Sequence, residues 1–270
     1  MLTPLKTFLI IRPHNIAAAV LSVAVGNTMA GGGGLPAWLL LTTALVTAAG
    51  NVINDWFDRD IDSINKPGRP IPSGGVTPRA ALVLYSVLLA AMAACLTRLS
   101  APQALWAGAW AVLLHLYSWK AKRIFLAGNL LVSAVVSSAF LLGAFAAGDI
   151  TAGVVPAIFT FFFVMSRELV KDTEDIEGDR LCGARTVPVL SGPDRALSAA
   201  AAILVLLAVA IPLLYMKGLY GKAYLVTMLI SVLPVLVVSC VLCLRRRSPA
   251  TVSLLLKLGM FSGMAAFYLG

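Results

Sequence analysis

Nine apolar stretches of 15 to 23 residues follow one another along this chain, at 16–30, 36–54, 80–97, 103–118, 128–147, 152–170, 196–215, 222–244 and 250–268. Such a succession restricts what the chain can fold into. A segment that crosses lipid meets no water to satisfy its backbone, so it must be a helix or part of a closed barrel. Uninterrupted apolar runs of this length, without strict alternation, are helical. The chain is 60% hydrophobic and 12% charged, with a mean hydropathy of +0.92, more apolar than a soluble core of this size requires. The expected architecture is all-α and integral to the membrane, with nine transmembrane helices in one polytopic domain, 1–270.

Lysine and arginine set the orientation. Seventeen lie on one side of the predicted spans: Lys6, Arg12, Arg59, Lys66, Arg69, Arg79, Lys120, Lys122, Arg123, Arg167, Lys171, Arg180, Arg185, Arg195 and Arg245–Arg247. The other side has three, Arg98, Lys217 and Lys222, and Lys257 falls inside the last span. The N-terminus is therefore expected in the cytoplasm and the C-terminus outside, in the plasma membrane. The net charge of +9 is first a topology signal; dispersed over short loops, it does not suit nucleic acid, though it can attract anionic lipid or phosphorylated substrates. No protein partner is implied. Lys6 and Arg12 before an apolar run imitate a signal peptide, but Arg12, His14 and Asn15 are too polar and specific for a segment to be discarded. Cys95, Cys182, Cys240 and Cys243 read as small membrane residues, and Gly31–Gly34, with no GK[ST] after it, reads as an external turn.

Against this apolar, basic background stand two acidic clusters of one pattern. Asp55, Asp58 and Asp62 are spaced +3 then +4, and Asp172, Asp175 and Asp179 repeat the spacing 117 residues later. Asn51 maps onto Glu168 and Asp60 onto Glu177 at the same offset, and Arg69-Pro70-Ile71-Pro72 maps onto Arg185-Thr186-Val187-Pro188 after a one-residue slip. Four helices separate the copies, which points to a parallel duplication of a four-helix unit with a ninth helix appended. If helices 2 and 6 run on into these motifs at about 100° per residue, Asp55, Asp58 and Asp62 share an arc of about 60°. Asn51 lands within that arc, Asn54 near its edge, and Asp60 points away. The second copy brings Glu168, Asp172, Asp175 and Asp179 together and turns Glu174 and Glu177 outward.

Carboxylates gathered on one face repel one another unless cations lie between them. Hard oxygen donors without a His or Cys cluster suit Mg²⁺, which takes few carboxylates, several waters and phosphate oxygens. The paired clusters thus read as a grip for a Mg²⁺-bridged diphosphate, with Asp58, Asp62, Asp175 and Asp179 catalytic and Asn54, Asp55 and Asp172 completing the metal set. Lys66, Arg69, Arg185, Lys120, Lys122 and Arg123 follow the acidic helices and helix 4, where they can hold phosphate oxygens. Arg12 and Asn15 start helix 1 at the same depth, and Tyr117 can offer a hydroxyl or a π face to a cationic intermediate. No Ser-His-Asp or Cys-His arrangement is readable. A cation-coupled transporter would instead place its carboxylates near the bilayer midplane on broken helices.

Asn54–Asp62 (NDWFDRDID), Arg69–Gly74 (RPIPSG) and Lys171–Asp179 (KDTEDIEGD) resemble the UbiA superfamily of intramembrane prenyltransferases, and the resemblance spans essentially the whole chain. It implies a helical bundle with a cytoplasm-side polar cavity, in which the motif carboxylates hold two Mg²⁺ ions on an isoprenyl diphosphate. The prenyl tail would lie in an apolar tunnel open to membrane lipids, and ionisation would give an allylic cation for the acceptor to attack. Within the superfamily the wording of both motifs is most similar to archaeal digeranylgeranylglyceryl phosphate synthases. These transfer a geranylgeranyl group from geranylgeranyl diphosphate to geranylgeranylglyceryl phosphate, whose own phosphate would then need cations such as Lys120, Lys122 or Arg123. The alternative is an aromatic acceptor, such as hydroxybenzoate, dihydroxynaphthoate or a chlorophyll-type pigment.

Overall fold

A computed structural model describes residues 8–270; Lys6, one of the residues used for orientation, lies outside the described residues. Nine long helices occupy the nine expected spans among the described residues. They are α1 (Pro13–Met29), α2 (Ala37–Asn65), α3 (Pro78–Leu96), α4 (Ala101–Trp119), α5 (Ala127–Ala147), α6 (Val154–Glu174), α7 (Pro193–Met216), α8 (Lys222–Leu244) and α9 (Pro249–Leu269). Seven are long and apolar enough to cross a membrane by length and composition; α1 and α4 complete the bundle. Large apolar side chains such as Val83, Leu105, Leu206 and Ile230 stay exposed on its outside, as expected where the solvent is lipid.

Two local features follow directly from sequence. Proline 234 cannot donate a backbone N–H, and α8 answers with a π turn over Met228–Val232 just before it. Helices α1 and α5 approach closely because both contribute glycine at the crossing. A Cβ on Gly143 would lie 2.0 Å from the Val23 carbonyl oxygen, and one on Gly26 would lie 2.2 Å from that of Phe140. This close crossing leaves α2 and α6 to flank the pair, since α1 packs on α2 and α5 on α6. Similarly, α2 packs against α3 as α6 does against α7, whereas α4 lies against α2 and α9 lies against α6.

Helix α2 has 29 residues and so extends about 43 Å, longer than the hydrocarbon core of about 30 Å. Its last turns carry the first acidic motif out of the apolar layer. In the second motif the expected continuous helix does not hold. Helix α6 ends at Glu174, Asp175 stands at the break, and a separate short helix runs Ile176–Leu181. Asn65, the last residue of α2, spans this break. Its amide donates to the Asp175 carbonyl at 2.8 Å and accepts from the Gly178 N–H at 3.0 Å. Gly178 is required there, because a Cβ would sit 2.5 Å from the Asn65 Nδ2.

Candidate active site

The loop after α2 is held by its own core. Ile71 and Val76 are buried in a cluster with Ile10, Val52 and Ala81, and bonds such as Val76 N–H to the Pro70 carbonyl at 2.9 Å close the turn. This fixes Arg69 over the first motif. Its Nη1 donates to Asp62 Oδ2 at 2.6 Å and lies 3.6 Å from Asp55 Oδ1. Burial alone would lower the Arg69 pKa, but the carboxylates of Asp62 and Asp55 outweigh it and raise it. Arg12, at the N-terminal edge of α1, also pairs with Asp55. Lys122 pairs with Asp58 and lies 3.3 Å from Asn54 Oδ1, while the Asn54 amide donates to Asp58 Oδ2 at 2.8 Å. Burial lowers the pKa of the Lys122 ammonium, and Asp58 only partly offsets it.

The second motif is dressed differently. Asp172 accepts from the Asn129 amide of α5 at 2.8 Å, and Asp179 from the Thr186 hydroxyl at 3.2 Å. Burial, assisted by the negative charge of Asp175, pushes the Asp179 carboxyl up to about 6. Among the described residues, Asp175 alone in this triplet has a cation within bonding distance, Lys66 Nζ at 2.5 Å. Lys66 comes from the end of α2, so this ion pair ties the two motifs together.

Between the motifs lies a cavity. Its wall contains Asn54, Asp58, Asp62, Asp172, Asp175 and Asp179, together with Arg69, Lys122, Arg123, Tyr117 and Lys171. A second, larger cleft adjoins it. Arg12, Asn15, Asn51, Arg167 and Glu168 form its polar part; Val46, Trp110, Val132, Val135 and Ala139 form its apolar part. Asn54, Tyr117 and Lys171 belong to the walls of both spaces and mark the throat between them. A polar pocket opening through one throat into an apolar lobe can take a molecule with a charged head and a hydrocarbon tail.

Most of the expected site residues converge, with informative exceptions. Asp55 is buried against Arg12 and Arg69 and lines neither cavity. Lys120 and Arg185 are exposed and away from both walls, although the Arg185 N–H donates to the Arg123 carbonyl at 2.8 Å. Asn51 holds the start of helix α1, donating to the Ile11 carbonyl at 2.8 Å and accepting from Asn15 at 3.1 Å. Asp60 and Glu177 face outward, whereas Glu174 leans back to within 3.8 Å of Lys66. Sequence reasoning missed Asn129, Thr186, Arg167 and Lys171 as site residues. Arg167 and Lys171 flank Glu168 at 2.8 and 3.2 Å, and the polarity of Arg167 inside a predicted span was the available signal.

Among the described residues, no three acidic, His or Cys side chains close on a single point as a ready metal cage. The oxygen donors are spread around the cavity instead. That distribution fits Mg²⁺, which uses one or two carboxylates and takes the rest of its shell from water and substrate phosphate.

A model of the UbiA prenyltransferase family matches residues 16–263. This chain belongs to the UbiA prenyltransferase family. It is thus a multi-pass membrane enzyme of the prenyltransferase class, with the all-helical UbiA fold. Among its UbiA relatives, the digeranylgeranylglyceryl phosphate synthase of Natronomonas pharaonis is 42% identical over 97% of this chain and 95% of its own length. That of Methanopyrus kandleri is 38% identical, covering 95% of each. A solved structure described as that of digeranylgeranylglyceryl phosphate synthase in membranes has a TM-score of 0.73 at 30% identity, covering 98% of both chains. A UbiA homolog from Archaeoglobus fulgidus bound to GPP and Mg²⁺ shares the fold, with a TM-score of 0.65 at 17% identity over 97% of this chain and 99% of that one.

Proposed function

We propose that this UbiA enzyme transfers a geranylgeranyl group from geranylgeranyl diphosphate to the free glycerol hydroxyl of geranylgeranylglyceryl phosphate, forming an ether bond and releasing diphosphate. The observation that carries this reading is the pair of acidic motifs facing one cavity that opens through a throat into an apolar lobe. Relatives named for this activity, up to 42% identical over nearly the whole chain, support the acceptor. The homolog bound to GPP and Mg²⁺ supports an isoprenyl diphosphate donor and a metal requirement.

Asn54, Asp58, Asp62, Asp172, Asp175 and Asp179 are the residues that would hold Mg²⁺, two ions in this reading. When bound, the metal supplies the positive charge that eases departure of the diphosphate. The chain's own cations act beside it. Arg69, Lys122 and Lys66 each already hold a motif carboxylate and can turn their remaining N–H groups to phosphate oxygens. Tyr117, in the throat, would offer a π face to the allylic cation, and the apolar lobe would keep water from it. The acceptor hydroxyl loses its proton to a carboxylate of the diphosphate cavity or to the departing diphosphate. The site faces the cytoplasm of the plasma membrane in this reading, and the repeated motifs descend from a duplicated four-helix unit.

An acceptor competition tests the proposal. Purified enzyme, labelled geranylgeranyl diphosphate and Mg²⁺ are offered geranylgeranylglyceryl phosphate beside hydroxybenzoate and dihydroxynaphthoate. The expected label appears in the glycerol ether. Preferential labelling of an aromatic acceptor would overturn the acceptor assignment.

A further inference from the structure

Lys257 lies on α9, eight residues or about 12 Å in from Pro249 at the start of that membrane helix. Among the described residues it has neither a hydrogen bond nor an ion pair, although it is only partly exposed. One turn further on, Met260 lines the larger cleft, so the Lys257 face of α9 turns toward that cleft. Helix α9 packs against both α6 and α1, the helices that bring Arg167 and Arg12 to the same cleft. The three cationic groups are near enough for their charges to act on one another, and His14 shares their field. Arg167 also keeps a buried Nε–H with no acceptor.

The charges here do not balance. Arg12, Arg167, Lys171 and Lys257 contribute four positive groups. Among the described residues their ion pairs are with Asp55 and Glu168, Asp55 being shared with Arg69; Asp172 and Asp175 also act on Lys171, and Lys257 has no ion-pair partner. An unpaired positive charge beside an apolar cleft is unfavourable unless an anion joins it. A phosphate monoester carries roughly two negative charges at neutral pH and several strong acceptor oxygens. Of the cations first expected to serve this purpose, Lys122 is held by Asp58, Lys120 is exposed, and Arg123 lines the smaller cavity between the acidic motifs and donates to the Phe57 carbonyl at 3.2 Å.

We propose that Arg12, Arg167 and Lys257 form the subsite for the phosphate monoester of the acceptor, holding its glycerol hydroxyl toward the throat at Asn54, Tyr117 and Lys171. This rests on the phosphorylated-glycerol acceptor of the preceding section. The subsite explains how one cavity separates its two anionic substrates. The donor's diphosphate lies between the acidic motifs, and the acceptor's phosphate lies among cations beyond the throat.

The test compares wild type, Lys257→Gln and Lys257→Arg in neutral detergent, with labelled geranylgeranyl diphosphate and two acceptors, geranylgeranylglyceryl phosphate and its phosphate-free alcohol. Lys257→Gln is expected to raise KM for the phosphorylated acceptor about tenfold or more, with rescue by Lys257→Arg. The donor KM and kcat/KM for the phosphate-free alcohol should stay within about twofold. Arg167→Lys, which keeps the charge but loses Nε–H, should raise the same acceptor KM by a smaller factor. Its donor KM is a second check that the site is folded. Unchanged acceptor KM in both variants, or equal losses with the two acceptors, overturns the subsite alone. An effect confined to vesicles of anionic lipid would assign Lys257 to a lipid headgroup and also overturn it. Wild-type enzyme that prenylates an aromatic acid but neither glycerol ether overturns the acceptor reading and the subsite together.

Discussion

The two acidic motifs share a spacing but not a charge balance. In the first, every carboxylate has a protein cation: Arg12 and Arg69 at Asp55, Lys122 at Asp58, Arg69 at Asp62. In the second, among the described residues, only Asp175 does, while Asp172 and Asp179 rest on the neutral Asn129 and Thr186. Arg69 and Arg185 occupy corresponding places in the repeat, yet Arg69 reaches its motif and Arg185 is exposed, leaving Thr186 to touch Asp179. The difference teaches that repeated sequence need not mean repeated electrostatics. The first motif is neutralised by the protein's own cations, whereas two carboxylates of the second have only neutral partners; in the proposed function the second motif would therefore depend more on metal.

The largest expected effect separates the motifs by metal affinity. Asp179→Asn should raise the Mg²⁺ concentration for half-maximal activity by about 10-fold to 100-fold, whereas Asp55→Asn should act mainly through protein stability. Titrating Mg²⁺ in both variants checks this, and equal shifts would break the distinction. Next comes the corresponding arginine pair. Arg69→Ala leaves Asp62 and Asp55 short of a cation and should cost about 3 kcal/mol of stability, against under about 0.5 kcal/mol for Arg185→Ala. Thermal unfolding in detergent measures both, and similar losses would restore the symmetry.

A pH series probes the second motif. Because the Asp179 carboxyl is raised to about 6, the metal-free site holds its proton up to that pH. Metal must displace that proton, so Mg²⁺ affinity should fall as pH drops below about 6, by about tenfold per unit well below it. Thr186→Val removes a bond that favours the charged form and should move the transition to higher pH. The smallest effects belong to the outward-facing acids. Asp60→Ala and Glu177→Ala should keep kcat within about twofold of wild type. A loss at Asp60 comparable to that of Asp58→Ala would mean that helical phase does not sort this motif.

The sequence made the first motif legible because α2 runs unbroken through Asn65, so a single helical phase relates Asp58 and Asp62 and turns Asp60 outward. The same reasoning missed the break at Asp175, where Asn65 supplies backbone partners from 110 residues away. Side-chain pairs of this kind cannot be read from local periodicity. Arg12 with Asp55, Lys122 with Asp58 and Asn129 with Asp172 each depend on which helices become neighbours. Lys120 and Arg185 show the reverse limit, since closeness in sequence to a motif did not bring them to its cavity.

Cooperation of the two motifs on one diphosphate can be measured without turnover, through Mg²⁺-dependent binding of geranylgeranyl thiolodiphosphate, a donor analogue that does not ionise readily. Wild type should bind it tightly only with Mg²⁺. Asp58→Asn and Asp179→Asn should each weaken binding, and the double variant should lose little more than the worse single, as for groups serving one ligand. Binding that persists when either motif is neutralised, or losses that simply add, would contradict a shared metal–diphosphate site.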